Sequence, residues 1–322
     1  MHLPAARGPW SRALFAALRG DAPLPDGLPG DADDLQISLW ALYELHYRGF
    51  ADVDGHAEWD PEILAVRRRL EESFEADLRS LVSDLVITAL REDGLVAQLE
   101  RIVAEPGPSI ASFLHREATR EQFEEFLAVR SLYHLKESDP HSWALPRLVG
   151  APKAALVEIQ YDEYGSGDPR MIHQQLYADA LVSAGLDATY GAYVDDVPAH
   201  TLAVNNAMSL FGLHQRLRGA CIGHLAAFEM TSSLPCRRIV QGAERLGMPM
   251  PVVRYFDEHV EADAVHEQLA LRSLCVPLVE SEPELREDVL LGAAACVLLD
   301  AAAAEETLQE WSLPARAIDV VA

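Results

Sequence analysis

Apolar residues recur along most of this chain at intervals of three and four, the spacing of helices with one buried face. Stretches that alternate apolar and polar residues are nearly absent, so the pattern predicts an all-α fold. A short first helix precedes a loop rich in Pro and Gly over residues 20–32. Asp60-Pro61-Glu62 reads as a helix start, with a capping carboxylate, Pro in the first turn and an acidic side chain beside it. That helix runs through Arg79, and another reaches about Val103 before Glu105-Pro106-Gly107-Pro108. Further helices are expected over Thr119–Glu137, Pro152–Tyr164, a segment carrying His173, Ala199–Ser232, Val252–Leu274 and Pro283–Gln309. Asp139-Pro140 should end the first of these, because a residue before Pro disfavours the α region.

The 322 residues suffice for one large domain or two modest ones, and 49% of them are apolar. Residues 1–108 are expected to form an N-terminal helical extension or lobe, and 109–322 the main bundle. The formal charge of −25 repels phosphate backbones and anionic lipids, which argues against nucleic acid or a membrane surface as partner. Cys221, Cys236, Cys275 and Cys296 are widely spaced, without a CxxC, and read as small buried hydrophobes in a reducing compartment. The apolar patch Ala13–Leu18 is too short for a signal peptide, and Val289–Ala304 is shorter than a bilayer span. A cytoplasmic protein is the expectation.

The chemistry concentrates in His259-Val-Glu-Ala-Asp263-Ala-Val-His266. At about 100° per residue, positions i, i+4 and i+7 fall within about 60° of one another on a helix. Two imidazoles and a carboxylate therefore share one stripe with Val252, Phe256 and Ala270, a ligand set suited to iron or manganese. A solvated face that happens to carry two histidines is the alternative. Glu229 is the only residue formally charged between Arg218 and Arg237 and lies among small and apolar neighbours. A carboxylate there must be paired or metal-bound, either as a ligand or with an arginine such as Arg237 or Arg254. Glu163 continues the stripe of Leu156 and Ile159, and Glu137 that of Phe126, Val129 and Tyr133. His173 shares an inner face with Leu176, Tyr177 and Ala180, whereas Glu158 and Asp162 point away from theirs and His224 reads as a core histidine. Trp143, Tyr133, Tyr177, Phe228 and Phe256 are candidates to line a pocket or to fill the core.

The series Glu137, Glu163-x9-His173, Glu229 and His259-x3-Asp263-x2-His266 resembles the haem-oxygenase-like diiron oxidases and oxygenases, a family of iron-containing redox enzymes. The likeness covers about residues 110–305 and extends to Tyr133-His134-Leu135-Lys136-Glu137 and Asp162-Glu163-Tyr164-Gly165. It implies a haem-oxygenase-like helical bundle without haem. It also implies two Fe(II) ions held by Glu137, Glu163, His173, Glu229, His259, Asp263 and His266, and O2 as co-substrate. The activity implied is oxidation of a small-molecule substrate, by oxygenation of an amine or by oxidative C–C cleavage, with reducing equivalents from an external electron donor. Two other readings stay open. One is a non-catalytic iron-binding helical protein. The other is a thiaminase-like hydrolase without a cofactor, for which Cys221 is the candidate nucleophile.

Overall fold

Asp60 caps its helix as expected, its carboxylate accepting from the backbone N–H groups of Glu62 and Ile63. The structure, a computed structural model, describes residues 1–312, without the side chains of 261–265. Its elements are α1 (Pro9–Leu18), α2 (Ala32–Glu44), α3 (Pro61–Ala89), α4 (Leu95–Val103), α5 (Ile110–Arg116), α6 (Arg120–His134) and α7 (Asp139–Ser142). There follow α8 (Gly150–Glu163), α9 (His173–Ser183), α10 (Ala199–Leu213), α11 (Arg218–Leu246), α12 (Met250–Gln268), α13 (Val276–Ser281) and α14 (Arg286–Ser312). Among the described residues there is no strand, so the all-α expectation holds. None of the helices described is long and apolar enough to cross a membrane.

The long helix α11 is the spine, packed on α14, α12 and α5. It meets α14 at very close range because both helices present glycine at the crossing. A Cβ on Gly223 would lie 1.8 Å from the Val289 carbonyl oxygen, and one on Gly292 would lie 1.9 Å from that of Ala220. The N-terminal helices are laid onto this spine rather than held apart from it: α2 packs on α10, and α3 and α4 pack on α14. Trp40, Leu70 and Leu99 belong to the same apolar cluster as Leu210, Ile222 and Leu290. A second cluster, with Phe123, Tyr177, Tyr255 and Phe256, joins α6, α9 and α12.

Several helix boundaries differ from the sequence expectation, each for a physical reason. The helix that starts at Pro61 continues past Arg79 to Ala89, since Val82 and Leu85 keep the buried stripe going. The stretch 199–232 is two helices, because the chain turns extended at His214. Arg147 satisfies the freed carbonyls of Gly212 and Leu213. Beyond Ser232 the helix does not stop but runs through Pro235 to Leu246. Pro235 costs one backbone donor, and the packing of Ile239, Gly242 and Ala243 outweighs that loss. Helix α6 ends at His134, three residues short of Glu137, and Ser138 adopts the left-handed φ of 68°. Glu137 thus sits in a turn. Finally, α12 passes into a π-helical turn at Leu269–Cys275 before α13.

Replacing Gly223 or Gly292 with Ala should push α11 and α14 apart and cost about 1–3 kcal/mol or more. Denaturant unfolding checks this. An unchanged midpoint in both variants contradicts the close crossing.

Candidate metal centre

Five elements bring the expected ligands together. Glu137 comes from the turn after α6, Glu163 is the last residue of α8 and His173 the first of α9. Glu229 lies on α11, and His259 and His266 lie on α12. None of the six is more than 7% exposed. Among the described residues they form two groups of three, Glu137–His173–His259 and Glu163–Glu229–His266. Within each group one donor atom per residue lies within 4.8 Å of the others, the reach of a shared ion. Asp263, the middle of the triplet, has a side chain outside the described residues.

The groups adjoin. His173 Nδ1 stands 3.1 Å from Glu163 Oε2, and the His173 and His259 rings are 4.5 Å apart. His259 Nε2 is 3.6 Å from Glu137 Oε1. His266 Nδ1 is 3.6 Å from Glu163 Oε1 and 3.5 Å from Glu229 Oε2. Arg237 and Arg254, the alternative partners for Glu229, are both exposed. Among the described residues Glu229 pairs with a fellow candidate ligand, His266.

The outer side of each imidazole explains which nitrogen faces the centre. His259 Nδ1 lies 2.7 Å from the Tyr255 carbonyl, which only an N–H can satisfy, so Nε2 carries the lone pair. His266 Nε2 lies 3.3 Å from Asp162 Oδ2, leaving Nδ1 for the centre. His173 Nδ1 and His266 Nδ1 are buried and make no aligned hydrogen bond. A buried ring nitrogen that faces carboxylate oxygens without an aligned hydrogen bond is a place that a cation, proton or metal, would satisfy. Imidazole nitrogen with hard carboxylate oxygen is also a donor set that iron accepts. The residues fit the ion.

Supporting groups that the sequence reading passed over hold the carboxylates. The Tyr255 hydroxyl donates to Glu137 Oε2 at 2.7 Å and meets His134 Nδ1 at the same distance. His134 Nδ1 is itself 3.2 Å from Glu137 Oε1. The Ser138 hydroxyl donates to Glu163 Oε2 at 2.9 Å. Asp162 does point outward, as its position predicts, with its side chain 45% exposed, yet it reaches His266. Only a fold that brings α12 beside the end of α8 makes that visible. His134 had a signal in the sequence, three residues before Glu137.

Burial pushes the Glu137 carboxyl upward, but the neighbouring imidazoles of His134 and His259 outweigh it and hold the group well below the usual range. Glu163 is likewise held down by His173 against its own burial. His266 is pulled down by burial and more strongly up by Glu229 and Glu163, ending at about 9. His173 is also raised, burial being outweighed by Glu163.

Other candidates fall outside the centre. Tyr177 and Phe256 are core, Tyr177 edge-on to Tyr255 and Phe256 tilted against Phe126. Phe228 meets Tyr133 edge-on at 5.4 Å. Trp143 lines a cleft of about 370 Å³ with Tyr47, Arg48, Asp139 and Tyr164. His224 is a core histidine, 3.3 Å from His141. Cys221 is buried, its thiol pushed up by burial to about 12.

The chain is similar to known proteins over the region that carries these residues. A nitrosourea synthase from Streptomyces achromogenes subsp. streptozoticus is 26% identical over 147 residues, which are 46% of this chain and 31% of that protein. The aligned part therefore spans about a third of that relative's length. The model of one family, described as iron-containing redox enzyme, matches residues 124–301, the span that carries all seven candidate ligands. The chain belongs to the family of iron-containing redox enzymes.

Proposed function

We propose that this protein is a non-haem diiron enzyme that uses dioxygen to oxidise a small organic substrate. The observation that carries the proposal is the pair of adjoining, fully buried His–carboxylate groups, with His259 and His266 seven residues apart on one helix. Glu137, His173 and His259 would hold one iron, and Glu163, Glu229 and His266 the other, with Asp263 completing the triplet. Iron bound there supplies the redox chemistry, with O2 as oxidant and an external donor for any further electrons. The chain supplies the rest. Tyr255 and His134 fix the Glu137 carboxylate, Ser138 fixes one oxygen of Glu163, and Asp162 fixes the His266 tautomer. Burial keeps bulk water from the donor atoms.

Between amine oxygenation and C–C cleavage we favour the first. The relative is named for making nitrosoureas, compounds with oxygen on nitrogen, and it aligns over part of this chain. The hydrolase reading loses its nucleophile, since a Cys221 thiol raised to about 12 yields almost no thiolate at neutral pH.

Without metal, protons stand in for it. His266, raised from an ordinary value of 6.5 to about 9, holds a proton between Glu229 and Glu163. A basic group raised on folding contributes stability below its unfolded value and loses it as pH rises through the folded one. Metal must displace that proton, so binding should tighten over the same interval.

Three outcomes follow from this arrangement. Anaerobic titration should load two Fe(II) per chain, with oxygen consumed on admission of air, and His266→Ala should abolish consumption while keeping helicity. Absence of iron binding in metal analysis sinks the reading. For the metal-free protein, the melting temperature should fall between about pH 7 and about pH 9.5, with much less change in the iron-loaded form. Equal pH dependence of the two forms contradicts proton–metal competition at His266. Third, Glu229→Gln should weaken iron binding yet cost the metal-free protein no more than about 2 kcal/mol at neutral pH, because His266 keeps Glu163 and Asp162 as partners. A loss of roughly 3–5 kcal/mol with normal iron loading would instead mark Glu229 as half of a structural ion pair.

A further inference from the structure

Lys136, next to Glu137 in the turn after α6, is among the largest fully buried side chains, only 1% exposed. An ammonium taken out of water needs a compensating charge, and here it comes from outside the family-matched span. Glu44, the last residue of α2 and 0% exposed, places Oε2 3.6 Å from Lys136 Nζ. The Tyr190 hydroxyl donates to the same oxygen at 2.7 Å, and the Arg48 backbone N–H donates to Oε1 at 3.3 Å. The Tyr47 ring covers the ammonium, its centroid 4.4 Å from Nζ.

A second tie comes from the same segment. Arg48 Nη2 donates to the Leu135 carbonyl at 2.8 Å and to Gln174 Oε1 at 3.3 Å. Gln174 in turn donates through Nε2 to the Glu137 carbonyl at 3.0 Å and to Asp139 Oδ1 at 3.1 Å. Residues 44–48 thus hold the Leu135 and Glu137 carbonyls and the Lys136 and Asp139 side chains, directly or through Gln174, on both sides of Ser138. This matters because the turn is not a helix. Ser138 has a left-handed φ without being glycine, a conformation that surrounding contacts must enforce.

A buried ion pair is weak evidence for stability, since apolar residues of similar volume often serve as well. Its better-attested use is to fix one arrangement among several. We propose that Glu44, Lys136 and Arg48 are positioning residues for the metal centre: the N-terminal segment sets the turn that presents Glu137 to the His173–His259 group. The inference rests on Glu137 being a metal ligand, as proposed above.

The test uses the full chain and anaerobic Fe(II) titration, with Co(II) absorbance as a second readout of ligand geometry. Glu44→Gln combined with Lys136→Met removes both charges together and keeps an acceptor for the Tyr190 hydroxyl, so no ion is stranded. The expected result is parental helicity and a cooperative melt, with one metal equivalent bound about 10–100-fold more weakly and the other unchanged. The Co(II) spectrum should change for the weakened equivalent alone. A folded double variant that binds both equivalents with parental affinity overturns the proposal. If that variant does not fold, Arg48→Met decides, because Arg48 is exposed and its loss leaves the core intact. Weakening of one equivalent by Arg48→Met supports the proposal, and a parental titration overturns it. Failure of the parent chain to bind metal would strike the diiron reading itself, an outcome distinct from either.

Discussion

Everything in this molecule's centre follows from one electrostatic constraint: three carboxylates and three imidazoles sit inside an apolar helical bundle. Buried carboxylates repel one another and cannot draw on water, so each must face something that compensates it. The chain meets the demand in layers. Imidazoles alternate with carboxylates at the centre, and around them Tyr255, His134, Ser138 and Asp162 take the outer lone pairs and N–H groups. The carboxyls of Glu137 and Glu163 therefore stay ionised in spite of burial, ready for a cation.

That layering accounts for what was legible in the sequence. The six described ligands carry a local mark, a charged or imidazole group on a stripe that is otherwise apolar, and such a mark survives without coordinates. Glu229 is the clearest case: it is buried beside His266, whereas Arg237 and Arg254, the partners that the sequence left open, are exposed. Asp162 carries the opposite mark. It lies on the outward side of α8, and its contact with His266 depends on how α8 and α12 meet. Helix ends were the least legible. The sequence extends α6 to Glu137 because that residue keeps helical spacing, but the ammonium of Lys136 and the Asp139-Pro140 step draw the backbone into a turn.

Spreading the ligands over five elements makes the centre a product of helix packing rather than of one loop. The glycines at the crossing of α11 and α14 fix how closely the spine carrying Glu229 can approach its neighbour. The segment before the family-matched span has a comparable role. Its apolar residues share a cluster with the spine, and its Glu44 and Arg48 meet the turn that bears Glu137.

The π-helical turn at Leu269–Cys275 bears on how this chain should be aligned with its relatives. Such a turn holds one residue more than an α-helix needs for the same stretch, which is how single-residue insertions are absorbed without breaking a helix. It begins three residues after His266, so the ligands upstream keep their phase while the buried set Ala270, Leu271, Leu274 and Cys275 is rotated to meet α8. An alignment that carries the α period straight through would displace every core position from there to α13 by one. A gap of a single residue between His266 and Val276 is therefore the place where lineages with and without the insertion would part.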